Sequence, residues 1–418
     1  MIVQDAIRSL KNNFGKAFFY WLTFVLTAMF IFIFFNISMS DAVGVTFIND
    51  SGSFATTLTV FVIAVCMVII FFANDFFVKN KARDLAVRLI CGAKYMQLAG
   101  YLLVQTFILL LIAIPAGIFL ALFLIPVLNG LIALLSSEAF HIAIRFRAVV
   151  MTAIILVSVV FWTTYLNLAF AYRNSASSLL NERKVKIKFE FAALENMKIS
   201  GRILQIVSAF LFLFPLVLFI TAPQNSIGWT VMGMVGFLGC MKHILGPWLN
   251  KLLKHDLADR PQMLAVLGFF RTDIQILRSS IILFIVTSTL LASVLVSRQM
   301  EPMEVLLTLL SYAVMSILLS LAIMFRYSTE LSQRGRYFKS LSHLGYTGGD
   351  IRKIKRQEVT LFYIYVFVIL GLYLGMMFLG LILKGMLAAS YAGILSLFVV
   401  IPLIVCWGAT LYYYSLVS

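Results

Sequence analysis

Apolar residues fall in ten long runs along this chain, at residues 17–38, 55–74, 98–128, 148–172, 203–221, 226–245, 279–297, 304–325, 359–383 and 388–412. A helix needs about 20 apolar residues to cross a bilayer core about 30 Å thick, so each run is a candidate span. The third is overlong and carries Pro115 and Pro126, which predicts a kink or an end in an outer half-turn. The sixth is rich in glycine and closes near Lys242, a side chain able to snorkel to the interface. The pattern predicts an all-α, polytopic membrane protein of ten transmembrane helices.

Composition agrees. Of the 418 residues 62% are hydrophobic and 12% charged, against about 25% charged in ordinary soluble domains, and the mean hydropathy is +1.01. The polar segments between runs set the orientation. With the N-terminus inside, residues 1–16, 75–97, 173–202, 242–278 and 326–358 hold 29 of the 33 Lys and Arg, and the outer side keeps Arg145, Arg147, Arg298 and Lys384. Basic residues concentrate on the cytoplasmic side, so both termini are expected to be cytoplasmic. The net charge of +16 is then a topological signature. It is not a footprint for nucleic acid, although "RGRYFKSLSHLGY" interleaves aromatic and basic residues.

The N-terminal "MIVQDAIRSLKNNFGK" is too polar, and the run after it too long, for a cleavable signal peptide. It predicts an amphipathic interfacial helix over 1–16, with Ile2, Ala6, Ile7 and Leu10 on one side. Cys66, Cys91, Cys240 and Cys406 fall in spans or at the cytoplasmic face and form no exported disulfide framework. His141, His243, His255 and His343 have no metal-ligand spacing, and no phosphate-binding glycine loop occurs. Ionisable groups are nearly missing from the runs. Asp75 is the nearest candidate for a buried coupling acid, but it stands at the inner end of its run beside Lys79 and reads as solvated. No catalytic residue, metal or bound cofactor is expected.

Two polar connections are more than tethers. In "KNKARDLAVRLICGAK" (79–94), Lys81, Asp84 and Arg88 form one helical stripe, with Asp84 and Arg88 in the favourable i,i+4 order. Ala82, Leu85, Ala86 and Leu89 form the opposite stripe, and Gly92 supplies a left-handed C-cap. Late in the chain, "RGRYFKSLSHLGYTGGDIRKIKRQE" repeats the construction. Tyr337, Phe338, Leu341 and Leu344 share a stripe, Arg334 and Lys339 lie off it, and Gly345 ends the helix. Thr347 and Asp350 then form a capping box for the next one. Aligned on the glycines, Arg83 meets Arg336 and Leu85 meets Phe338 at an offset of 253 without a gap. The order of parts predicts two related halves. A basic amphipathic loop is also what an interfacial anchor looks like, but two copies, each followed by a glycine and a long span, favour docking.

"RDLAVRLICGA" resembles the motif after the second span of FtsX-like ABC permeases, a helix that docks on the ATPase. The second copy, the start "AIRSLKNNFGKAFFYWLTFVL" and the ten spans are similar to Bce-type permeases, the bacitracin and antimicrobial-peptide resistance group. The resemblance implies domains at 1–16 (interfacial helix), 17–172 (first half, coupling helix 79–92), 173–278 (cytoplasmic linkers with spans five and six) and 279–418 (second half, coupling helix 332–345). It implies ATPase-coupling roles for Arg83, Asp84, Leu85, Arg88, Leu89 and Gly92, and for Arg336, Phe338, Lys339, Leu341, Leu344 and Gly345. The chain would be the membrane subunit in a bacterial plasma membrane, and a separate ATPase, two copies per chain, would bind the ATP. An amphiphilic peptide or lipid-linked compound is the expected cargo. The large extracellular domain of Bce-type permeases has no counterpart here: the connection between spans seven and eight is only "SRQMEPM" (297–303), and that between spans one and two only "ISMSDAVGVTFINDSGS". This puts partnership with a sensor kinase in doubt. The competing expectation is a non-transporting FtsX-like regulator, which would need an outer docking domain.

Overall fold

The computed structural model describes residues 2–12, 14–38, 50–135, 142–173, 201–255, 261–297 and 302–416. The basic stretch 174–200, His141 and most of the two outer connections singled out above lie outside the described residues. Every regular element among the described residues is helical. In chain order these are α1 (Ile2–Asn12), α2 (Phe14–Ser38), α3 (Asp50–Asn80), α4 (Ala82–Ile90), α5 (Tyr95–Leu135), α6 (Phe146–Arg173), α7 (Gly201–Thr221), α8 (Ser226–Cys240), a π-turn (Met241–Leu245), α9 (Gly246–His255), α10 (Pro261–Ser297), α11 (Pro302–Gln333), α12 (Gly335–His343), α13 (Gly348–Leu383) and α14 (Ala389–Leu416).

Ten helical stretches are long and apolar enough to cross a membrane, and each coincides with one of the ten apolar runs. Several helices extend past the runs that announced them. α5 continues through both Pro115 and Pro126 for 41 residues instead of ending in a half-turn. α10 begins at Pro261, so residues expected to form a cytoplasmic connection up to 278 are the first turns of a spanning helix. That extension carries Asp273, which is buried, and α13 carries the buried Glu358. Both acids lie outside the apolar runs 279–297 and 359–383 but inside the longer helices that carry them, where each meets a partner within the fold.

The chain divides into two compact units, Met1–Ile187 with Pro302–Leu307 and Lys188–Glu301 with Thr308–Ser418. In the first, α2 is the hub, packing on α3, α5 and α6. Its run from Ala28 to Phe34 is buried residue after residue, as befits a helix that is apolar on every side. A stacked pair, Tyr20 on Phe77 with centroids 4.4 Å apart, and the Tyr20 hydroxyl donating to Asn74 Oδ1 at 2.8 Å tie α2 to α3. Of the expected α1 stripe Ala6 is fully buried, in a helix packed on α5, whereas Ile7 faces outward.

In the second unit α7 pairs with α8, α10 packs on α8 and α13, and α13 also meets α7 and α14. The glycines of the sixth run serve this packing. A Cβ at Gly236 would collide with the backbone of Leu211 and Phe212, so α7 and α8 approach to backbone contact there. Between spans, where the surrounding lipid is as apolar as a leucine, such close approach through small residues is what holds helices together.

Candidate functional site

Each unit contains one short helix set between two long ones, and the two are built alike. α4 and α12 have nine residues each, at an offset of 253, and so do the starts of the helices that come next, Tyr95 and Gly348. Both short helices end in the same motif. Gly92 has φ 91° and Gly345 φ 95°, a region open to glycine because it lacks a Cβ. Ala93 N–H donates to Arg88 O and Gly92 N–H to Leu89 O; in the second copy Tyr346 N–H donates to Leu341 O and Gly345 N–H to Ser342 O. These crossed bonds satisfy carbonyls that the helix end would otherwise orphan. The next helix also starts alike. Thr347 and Asp350 form the expected capping box, and at the matching positions Gln97 Oε1 accepts from Lys94 N–H at 3.0 Å.

The inward faces hold the largest departures from expectation. Lys81, placed above on the charged stripe with Asp84 and Arg88, is buried at the N-cap of α4 and donates to Gln105 Oε1. Its ammonium lies 4.5 Å from the Phe77 ring centre, and Gln105 Nε2 reaches on to Ala6 O at 3.2 Å. One polar chain therefore joins α3, α4, α5 and α1. Arg334, also placed off the apolar stripe, is the N-cap of α12 and is buried between Glu358 and Asp273, pairing with both carboxylates. Lys81 with Gln105 and Arg334 with Glu358 are the same pair at the offset of 253. Both depart from expectation for one reason. Counting back from the first apolar residue, a side chain at the N-cap lies over the buried flank, and the long helix behind supplies a polar partner.

Leu85 is fully buried, Ala86 with it, and Phe338 is buried in a cluster with Val266 of α10 and Ile354 of α13. Leu85 and Phe338, two of the twelve residues for which the resemblance implies an ATPase-coupling role, pack the short helices against their own units. Leu89 and Leu341 are half-buried. Arg88 does not close an i,i+4 pair with Asp84. Its guanidinium stacks 4.1 Å over the Tyr101 ring and faces Asp5 of α1 at 3.7 Å. Asp84 and Lys339 are exposed, and Arg83 and Arg336 occupy the second position of each helix. Facing outward are apolar residues that the stripes leave out, Val87 and Ile90 on α4 with Tyr95 and Met96 just beyond it, and two that belong to the second stripe, Tyr337 on α12 and Leu344 at its C-cap. Ile90 is 64% exposed and Leu344 76%. Asp75, the one acid considered for coupling, is half-buried near the end of α3.

Burial pushes the Lys81 ammonium down from 10.5 to about 7, with Asp84 working in the opposite direction and Arg88 adding to the effect. Between pH 7 and 10.5 the unfolded chain then holds more protons at this site than the folded one, so stability rises with pH across that window. Thermal unfolding of the purified protein measured from pH 7 to 10 should show wild type gaining on Lys81→Met as pH rises. Parallel curves would contradict the burial of the ammonium.

Residues 56–176, which contain α4 and its flanking spans, match the family described as FtsX-like permease C-terminal. No curated protein matches the chain. Permeases of that kind are membrane subunits without an ATPase site of their own. With ten apolar helices, the chain is a multi-pass membrane protein.

Proposed function

We propose that this chain is the permease subunit of a bacterial ABC system of the FtsX-like, Bce-related class, with both termini in the cytoplasm. The observation that carries the reading is the duplication of one device: two nine-residue helices, 253 residues apart, each with an inward basic N-cap, a glycine-terminated end and an outward apolar face. Two such faces on one chain suit two copies of an ATPase. Closure of those copies on ATP draws α4 and α12 with them, and the long helices rooted directly behind them carry the displacement to the outer face. The tight backbone of each connection supports this: a Schellman end with a capped helix only a few residues beyond it leaves little slack to absorb a push.

The cargo in this reading is an amphiphilic peptide or a lipid-linked compound taken at the outer leaflet, since the described spans expose apolar faces to their surroundings. Its handling makes the system one of antimicrobial-peptide resistance. The test is co-purification with an ABC ATPase, sought first in the reading frames next to the gene for this chain. Native mass spectrometry is expected to show one copy of this chain with two of the ATPase, and ATP hydrolysis is expected to rise with a membrane-active peptide. Two permease chains per ATPase pair would contradict the reading of two halves, and stable assembly without any ligand response would favour a non-transporting regulator.

A further inference from the structure

We propose that the groove where α7 meets the π-turn and α9 is a binding site for one anionic phospholipid, with its phosphate at Lys251 and an acyl chain along Ile206, Ile244 and Trp248. The groove arises from one proline. Pro247 has no N–H to give to the carbonyl four residues back, which is that of His243. The chain widens ahead of it: Gly246 N–H reaches five residues back, to Met241 O. A π-turn of this kind inserts a residue and re-aims the helix beyond it. The stranded His243 carbonyl is taken by Gln205 Nε2 of α7 at 2.9 Å. That bond clamps the start of α7 to the π-turn and leaves an open cavity of about 460 Å³ beside it, lined by Gln205, Ile206, Ala209, Ile244, Pro247, Trp248 and Lys251.

Its size falls within the range of about 300–1,000 Å³ typical of small-molecule sites, and its chemistry is that of a lipid. The walls are aliphatic and indole, on helices apolar enough to span, so a water-soluble ligand would find no set of polar partners. Trp248 is 56% exposed, and tryptophan favours the headgroup level of a bilayer. Lys251 stands one turn further along α9 at the mouth, and exposed Arg202 and Lys242 flank the same ends of α7 and α8. No acidic residue lines the cavity. Basic pockets between spanning helices select anionic headgroups over neutral ones. The inference needs only a membrane-embedded chain. It is independent of any ATPase.

Native mass spectrometry of the detergent-purified protein, titrated with dioleoylphosphatidylglycerol or dioleoylphosphatidylcholine, tests it. Wild type is expected to retain one phosphatidylglycerol at concentrations where phosphatidylcholine is lost. Lys251→Gln should weaken phosphatidylglycerol about fivefold and leave phosphatidylcholine unchanged. Ile206→Trp, which fills the groove from an exposed position, should weaken both lipids. Lys384→Gln, in the turn between α13 and α14, should change neither, and inorganic phosphate should not compete. Equal retention of the two lipids, or wild-type phosphatidylglycerol binding by Lys251→Gln and Ile206→Trp with unchanged melting, would overturn the site; displacement by inorganic phosphate would do the same.

Discussion

Arg334→Met is expected to lower the stability of the purified protein by about 3–5 kcal/mol, the range for removing one partner from a buried ion pair. The guanidinium is 3% exposed and both of its carboxylates are fully buried. Without it two buried carboxylates, Asp273 and Glu358, lose the guanidinium they share. The fork geometry adds a second expectation. Nη1 donates to both Glu358 Oε1 and Asp273 Oδ2, and Nη2 to Asp273 Oδ1, a fork that a lysine, a point charge, cannot reproduce, so Arg334→Lys should recover only part of the loss. Replacing all three together, with Arg334→Met, Asp273→Leu and Glu358→Leu, should come out near wild type or above it, because well-packed apolar substitutes avoid the cost of desolvating charges. Denaturation in mixed detergent, read by tryptophan fluorescence, measures each variant. A single-variant loss under about 1 kcal/mol would place the triad in contact with water.

The second large effect is on assembly. Ile90→Asp and Leu344→Asp should each weaken ATPase association roughly thirtyfold or more, the loss of a binding hot spot of at least 2 kcal/mol, while melting stays at the wild-type temperature. Leu85→Asp and Phe338→Asp should behave oppositely to their neighbours. They put a carboxylate into the packing beneath α4 and α12 and should destabilise the fold by several kcal/mol, losing the ATPase only as a consequence. Pull-down and thermal stability measured side by side separate the two classes. If Ile90→Asp and Leu344→Asp both retain the ATPase at wild-type level, the outward faces are not the docking surface.

What could be read from the chain beforehand divides by range. The ten runs, the glycines at 92 and 345 and the box at Thr347 and Asp350 are local features, each decided by residues within one helix or one turn. The facing of α4 and α12 is not. Leu85 and Phe338 sit on apolar stripes as expected, but a stripe reports only that one face is buried, and the burying partner is the chain itself. Lys81 and Arg334 escape a local reading because nothing within four residues marks them as different from Lys339. Their partners are 24 residues away, and Asp273 is 61 from Arg334. A signal does exist: Gln105 interrupts an apolar stretch of α5 and Glu358 stands where the charged start of α13 gives way to its apolar run, each 24 residues beyond a basic N-cap, once in each half. A polar side chain at the edge of or inside an apolar run, recurring at the repeat offset, is evidence of a buried partner.

The buried triad also sets a timetable for biogenesis. Asp273 leaves the ribosome 61 residues ahead of Arg334, which in turn precedes Glu358 by 24. At about 5–20 residues per second, the helix carrying Asp273 waits about 3–12 s before its counter-ion exists at all. During that interval α10 carries its acid without the guanidinium, so its final packing in the second unit waits until α11 and the start of α12 arrive. The first unit needs no such delay, since its buried basic residue meets a neutral amide. Translation slowed between residues 273 and 334 should therefore harm maturation of the second unit far more than an equal pause in the first.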